Sequence, residues 1–271
     1  MRAKHEGVAA VSDHEVYSCP ACSTPAALPG HCPECAKKRR YVKLVRHDSR
    51  LPVPMSMVRG ADVPRLTVPG LPGIEDAMAG GFVPGTVTLL YGGPGIGKSR
   101  LALLLCDRVG RLTPRPPVYV TSEQMPGHIK LTAALVGVER SPMLVCYQTQ
   151  VGAVGDVLSE SEASFAVVDS VQGMTDKDAG IVPVVREIIR VARLLRVAVL
   201  CVSHATKDDD YSGPRTVEHD VDAMVEMTRH PDRADTLLWT VERKYRFGPI
   251  GRQAVIVQDG EGRLHDYRAQ Q

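Results

Sequence analysis

The sequence predicts an α/β fold: a mainly parallel sheet with helices on both faces, extended by C-terminal β-hairpins and preceded by a small cysteine-rich module. Three observations predict it. Between residues 86 and 203, short apolar runs alternate with segments of helical period, the pattern of a parallel sheet covered on both faces. After residue 220 the strand-like runs follow one another directly, as hairpins do. Near the N-terminus, four cysteines stand in two close pairs among few large apolar residues.

Composition sets the frame. The chain has 271 residues, 44% hydrophobic and 24% charged, which suits a globular protein able to bury a core. A net charge of +2 gives no global attraction to a polyanion, so any nucleic-acid contact must be a local patch. The longest apolar runs, such as Val87–Tyr91 and Val197–Val202, are strand-sized, and no bilayer span or membrane partner is expected. "MRAKHEGVAAVSDHE" lacks the apolar core of a signal peptide, so a cytoplasmic location is expected. There, cysteines serve as thiols or metal ligands rather than as lasting disulfides.

Residues 1–40 read as the first domain. Cys19 and Cys22 form one C-x2-C pair, and Cys32 and Cys35 form a second after a nine-residue loop. Two such knuckles can supply the four thiolates of a closed, tetrahedral, structural zinc site. The same spacing allows disulfides or four idle thiols, and the expected compartment favours zinc. Residues 41–65 read as a basic, Pro/Gly-rich linker. The run 36–50, "AKKRRYVKLVRHDSR", sets seven Lys and Arg against the single acid Asp48, which fits a solvated linker or a phosphate-binding surface equally well.

Residues 66–271 read as one domain. "TVTLLYG" is a strand and "KSRLALLLCDRVG" a helix, with Gly110 as its stop. "PVYVTSE", "LVCYQT" and "FAVVDS" are strands, with a helix-like "VGDVLSESEA" before the last. "VPVVREIIRVARLLR" has a helical apolar period, and "VAVLCVSH" is a buried strand. "DAMVEMT", "TLLWTVERKY" and "QAVIVQD" are the hairpin strands. Cys106, Cys146 and Cys201 lie in apolar stretches and read as small buried hydrophobes.

Gly92, Gly93, Pro94, Gly95, Ile96, Gly97, Lys98 and Ser99 fit G-x-x-x-x-G-K-[ST] at every fixed position, between a strand and a helix. The glycines let backbone N–H groups face phosphate oxygens, and the helix start adds partial positive charge. In such a loop Lys98 reaches the β- and γ-phosphates of ATP, and the Ser99 hydroxyl ligates Mg2+. Asp169 ends the strand "FAVVD", where a carboxylate can hold the same magnesium through water. Glu123 follows "VYVTS", and a carboxylate there can polarise the water that attacks the γ-phosphate. The alternatives are a strand-end turn residue for Asp169 and a surface acid for Glu123.

These residues carry a resemblance. The chain resembles the RadA/Sms family of bacterial DNA repair ATPases, in the RecA superfamily, along nearly its whole length and in order. The matching segments are the four-cysteine knuckle, "LPGIEDAMAGGFVPGTVTLLYGGPGIGKS", "YVTSEQ", "FAVVDSVQ", "SHATKDDDYSGPRTVEHDVD" and "RKYRFG". The resemblance implies a RecA-like P-loop ATPase core behind a zinc-ribbon-like module, with ATP, Mg2+ and Zn2+ as cofactors. It implies that His204, opening "HATK", senses the γ-phosphate, where bare sequence reads only a turn. "QGMTDKDAG" and "KDDDYSGPR" fall at the superfamily's DNA-binding loops. Lys207 and Arg215 would be their phosphate contacts, opposed by Asp208, Asp209 and Asp210. Lys244 and Arg246, two apart on a strand and so on one face, correspond to a Lys-x-Arg pair that reaches a neighbouring subunit's ATP. On spacing alone they are equally a solvated basic face.

The departures are specific. Tyr245 stands where the family has Asn, and T-S-E-Q replaces S-G-E-E around Glu123. The module lacks the family's tryptophans, the only Trp being Trp239. The chain is expected to lack the family's C-terminal Lon-protease-like domain, which helps build the ring. The leading expectation is a DNA-dependent ATPase acting in recombination and repair. It would translocate on single-stranded DNA to promote branch migration, with single-stranded or branched DNA, a RecA-type recombinase and its own copies in a hexameric ring as partners. A second reading is a nucleotide-switched DNA- or recombinase-binding regulator without motor activity. A third, a small-molecule P-loop kinase, shares only the phosphate loop.

Overall fold

The computed structural model describes residues 16–19, 25–26, 30–37, 42–43, 45–47, 64–174, 180–204 and 217–270. The chain divides into two compact units, 1–60 and 61–271.

In the N-terminal unit, β1 (Val16–Ser18) pairs antiparallel with both β2 (Pro25–Ala26) and β3 (Val45–His47). A single helical turn, α1 (Pro33–Lys37), follows Cys32. Strand β3 lies inside the segment read as linker, so the module's sheet runs on past residue 40. Apolar alternation there is too short to register as a strand signal, and pairing with β1 supplies the structure.

The larger unit is built on a nine-stranded sheet. Its central parallel strands are β4 (Val87–Gly92), β5 (Val118–Thr121), β6 (Leu144–Tyr147), β7 (Phe165–Asp169) and β8 (Ala198–Val202). The antiparallel extension is β9 (Ala223–His230), β10 (Arg233–Tyr245), β11 (Gln253–Gln258) and β12 (Leu264–Asp266). The strand order is β12-β11-β10-β9-β4-β8-β7-β5-β6. Strand β9 pairs parallel with β4 before the chain turns into its hairpins, so the two halves join without a break.

Strands β4, β7 and β8 are buried throughout, as their continuous apolar runs require. One face packs against α2 (Pro72–Ala77), α3 (Lys98–Gly110) and α4 (Pro126–Leu135). The other packs against α5 (Val151–Glu160) and α6 (Ile181–Leu195). Helix α6 buries Ile181, Val184, Val185, Ile188, Ile189 and Ala192, the i, i+3, i+4 stripe its sequence carries.

Two helices have no strong sequence signal. Helix α4 buries only Ile129 and Ala133, so its apolar stripe is two residues long. Helix α2 has six residues, less than two turns. Its first turn is held from the far end of the chain: buried Asp266 accepts the N–H of Gly73 at 2.7 Å and of Ile74 at 3.4 Å. Cys106 and Cys201 are fully buried, and burial raises both thiols well above the usual range. Cys146 departs from expectation, since it sits half-buried on β6 at the sheet edge, where one side lacks a neighbouring strand. Among the described residues, no helix is long and apolar enough to cross a membrane.

Phe82 is 1% exposed, and its ring lies 5.1 Å from that of Phe165 on β7. Phe82→Ala should cost about 3–5 kcal/mol through lost burial and a cavity. Urea unfolding should show a lower midpoint at unchanged slope; an unchanged midpoint would contradict this packing.

Candidate functional site

The site grows from the carboxyl end of the central sheet. Strand β4 ends at Gly92, whose backbone lies so close to β9 that a Cβ would come within 2.3 Å of the Met227 carbonyl oxygen. Gly97 precedes α3 at φ +106, a conformation other residues adopt at a cost, and its carbonyl accepts the first helical N–H, from Leu101, at 3.0 Å. Lys98 follows, only 4% exposed. Its Nζ donates to the carbonyls of Gly92 and Gly93, both at 2.8 Å. Burial lowers the Lys98 pKa, while Asp169 and Glu123 support its charge.

Asp169 ends β7, next to β5 and β8, and is 7% exposed. Tyr119 Oη donates to its Oδ2 at 2.5 Å. Burial raises the Asp169 carboxyl, and hydrogen bonds from Tyr119 and Ser99 oppose that rise. Ser99 and Asp169 therefore meet at one point in the first turn of α3, the arrangement that could hold a magnesium ion between a hydroxyl and a carboxylate.

Glu123 lies beyond β5, in a turn where Thr121 Oγ1 accepts the N–H of Glu123 at 3.3 Å and of Gln124 at 3.2 Å. Its Oε1 accepts the Ser170 hydroxyl at 2.7 Å and stands 3.2 Å from His204 Nε2. His204 follows β8, and Gln172 Nε2 donates to Ser203 Oγ at 2.7 Å and to the His204 carbonyl at 3.3 Å. Gln172 Oε1 is buried without a hydrogen-bond partner among the described residues. Sequence reading passed over Tyr119, Ser170 and Gln172. The last two lie in "FAVVDSVQ", immediately after a strand-end acid, which was the available signal.

A cleft of about 340 Å³ opens beside the loop, lined by Gly95 to Arg100 on one side. Arg229, Leu237, Gln258 and Leu264, from β9 to β12, form a second wall that no motif announced.

Gly92 to Ser99, Glu123, Asp169 and His204 are thus brought together. Lys244 and Arg246 are not among them. Tyr245 pairs with Ala223, which pairs with Thr88 near the start of β4. The phosphate loop follows the other end of that strand, about 16 Å away at the usual strand rise. Lys244 Nζ donates to the carbonyls of Glu218 at 2.8 Å and His219 at 2.7 Å. Burial and Arg246 lower the Lys244 pKa. Arg246 Nε lies 3.3 Å from Oδ1 of Asp222, whose Oδ2 accepts the Val87 N–H at 3.0 Å. Both cations therefore converge on residues 218–222, although Arg243 at φ +59 and a register shift interrupt β10 beside them.

In the N-terminal unit, the Sγ atoms of Cys19, Cys32 and Cys35 all lie within 4.8 Å of one another, and all three residues are buried. Three soft sulfur donors at that spacing fit a zinc ion. Cys22, Lys207 and Arg215 lie outside the described residues.

The chain is 28% identical over 261 residues to the DNA repair protein RadA of Listeria monocytogenes, covering 89% of this chain and 56% of the relative. It is 35% identical over 217 residues to that of Brucella abortus, covering 73% and 45%. The match to the Mycobacterium tuberculosis protein is 34% over 189 residues, covering 66% and 39%. The chain belongs to the RadA family. It spans about half the length of the curated RadA relatives it matches. The KaiC-like protein PH0186 of Pyrococcus horikoshii OT3 shares the fold, with a TM-score of 0.63 over 76% of this chain and 99% of that one at 17% identity. The core of this RadA-family chain is RecA-like. No protein-family model matches the chain.

Tyr119→Phe removes the hydroxyl from a buried carboxylate, and a hydrogen bond to a charged group contributes about 1.5–3 kcal/mol. Urea unfolding at neutral pH should show a loss of that size; wild-type stability would mean the bond to Asp169 contributes nothing.

Proposed function

We propose that this chain is a DNA-stimulated ATPase of recombination and repair, with a hydrolytic site that a neighbouring copy completes. One observation carries the reading. Lys98, Ser99, Asp169, Glu123 and His204 converge at one end of β4, while Lys244 and Arg246 stand at the other. Those two cations lie out of reach of their own phosphate loop, which supports a role in trans.

The residues divide the chemistry. The loop N–H groups of Gly93 and of Gly95 through Ser99, with the Lys98 ammonium, bind the β- and γ-phosphates. Ser99 and Asp169 would hold magnesium, which when bound would neutralise phosphate charge. Glu123 takes the proton of the attacking water, positioned by the Ser170 hydroxyl and by His204, which also senses the γ-phosphate. Lys244 and Arg246 of a neighbour stabilise charge developing in line. Lys207 and Arg215 contact DNA phosphates. The wider family reading extends to translocation on single-stranded DNA, branch migration with a RecA-type recombinase, a hexameric ring and a cytoplasmic location.

The decisive test is ATP hydrolysis with and without single-stranded DNA. We expect strong stimulation by DNA and its loss in Lys98→Ala. Stimulation by a small hydroxylated metabolite instead would mark a kinase. DNA-stimulated hydrolysis without strand displacement would mark a nucleotide switch and remove the motor.

Cys19, Cys32 and Cys35 would hold a structural zinc ion in the N-terminal unit, with Cys22 as the fourth ligand the C-x2-C spacing suggests. Metal analysis should give about one zinc per chain, and removal should unfold this unit, since a closed four-thiolate site supplies folding energy. Metal-free protein with an intact N-terminal unit would refute the site.

A further inference from the structure

Tyr245 separates Lys244 from Arg246, and its side chain is engaged on its own account. Its hydroxyl donates to the Met78 carbonyl, just past α2, at 2.5 Å. Arg65 Nη1 donates to the same hydroxyl at 3.0 Å and to the same carbonyl at 3.2 Å. Arg65 Nη2 donates to the Phe247 carbonyl at 3.0 Å. One guanidinium thus grips "KYRFG" at two points, the Tyr245 side chain and the Phe247 backbone. The Tyr245 and Phe247 rings meet edge to face at 6.3 Å. Arg65 is itself fixed by its neighbour, because Leu66 and Phe82 exchange two backbone hydrogen bonds at 2.8 and 3.0 Å. Burial raises the Tyr245 pKa, with Arg65 opposing, which keeps the hydroxyl a donor to Met78 and an acceptor from Arg65.

Lys244 and Arg246 are held elsewhere, by Glu218, His219 and Asp222. The backbone between them is therefore pinned by two separate sets of contacts. We infer that Tyr245 and Arg65 are positioning residues for Lys244 and Arg246, setting the reach of that pair toward a neighbouring copy's phosphates. The inference rests on the reading that the two cations act in trans. The physical reason is the sensitivity of charge stabilisation to placement, since a shift of about 1 Å can cost on the order of 100-fold in rate. The Tyr245 phenol spans the distance to the Met78 carbonyl, a reach that its hydroxyl alone completes.

Tyr245→Phe keeps the ring and removes the hydroxyl. In DNA-stimulated ATP hydrolysis we expect kcat to fall about tenfold, a fraction of that placement sensitivity, with KM for ATP within about twofold. Arg65→Lys, which keeps the charge but loses the fork, should do the same. Mixing distinguishes aim from general damage. A Lys98→Ala copy has no working phosphate loop but carries an intact "KYRFG", which it can present to the intact loop of a Tyr245→Phe copy. The mixture should hydrolyse several times faster than the two proteins assayed apart. Wild-type kcat in Tyr245→Phe would overturn the inference, and so would a deficit that mixing leaves unchanged. Arg246→Ala mixed with Lys98→Ala is the control. Rescue there without rescue of Tyr245→Phe removes the positioning role alone, and no rescue in the control removes the trans reading together with this inference.

Discussion

One strand sets the dimensions of the proposed hydrolytic site. Val87–Gly92 is paired parallel on both sides, to β8 and β9, and is buried along its whole length. The phosphate loop leaves one end. At the other, the Val87 N–H is taken by Asp222, the carboxylate that also holds Arg246. A fully paired strand therefore keeps the proposed phosphate-binding groups apart from the two cations proposed to act on phosphate. In a single copy these two halves stay separated by the length of β4. On the proposed reading, the loop end of one copy meets the cation end of the next, and hydrolysis would be contingent on assembly.

The same strand explains why the site is so heavily cross-linked by hydrogen bonds. Asp169 ends β7, with Ser170 and Gln172 just past it, and His204 follows β8, the strand between β7 and β4, while Tyr119 and Glu123 come from β5 and its exit. Each polar group there emerges from a dry sheet and must find a partner nearby. Tyr119 serves Asp169, Ser170 serves Glu123, and Gln172 serves the backbone of His204.

Much of this was legible in sequence, for local reasons. The G-x-x-x-x-G-K-S loop declares itself through glycines at fixed spacing, and Asp169 through its position after four buried apolar residues. Helix α6 carries its stripe in full. What escaped depends on contacts between distant residues. Tyr119 lies 50 residues from Asp169, and Ser170 lies 47 from Glu123. Arg65 and Tyr245 are 180 apart, and nothing local in "VPRLT" or "KYRFG" indicates that they meet. Helix α4 escaped because it buries only Ile129 and Ala133, and strand β3 because its three residues, Val-Arg-His, carry almost no apolar pattern. Lys244 and Arg246 were read as a pair on one face, and they do converge, yet their distance from the phosphate loop became visible only from the register of β9, β4 and β10.

The central claim is that no single copy contains a complete hydrolytic site. The most direct measurement is the ATP hydrolysis rate per chain across a wide range of protein concentration, with single-stranded DNA present and molecular mass recorded in parallel. A rate per chain that rises with concentration and levels off as the mass reaches that of the assembly is the predicted result. A full, concentration-independent rate from chains whose mass is that of a monomer would contradict it.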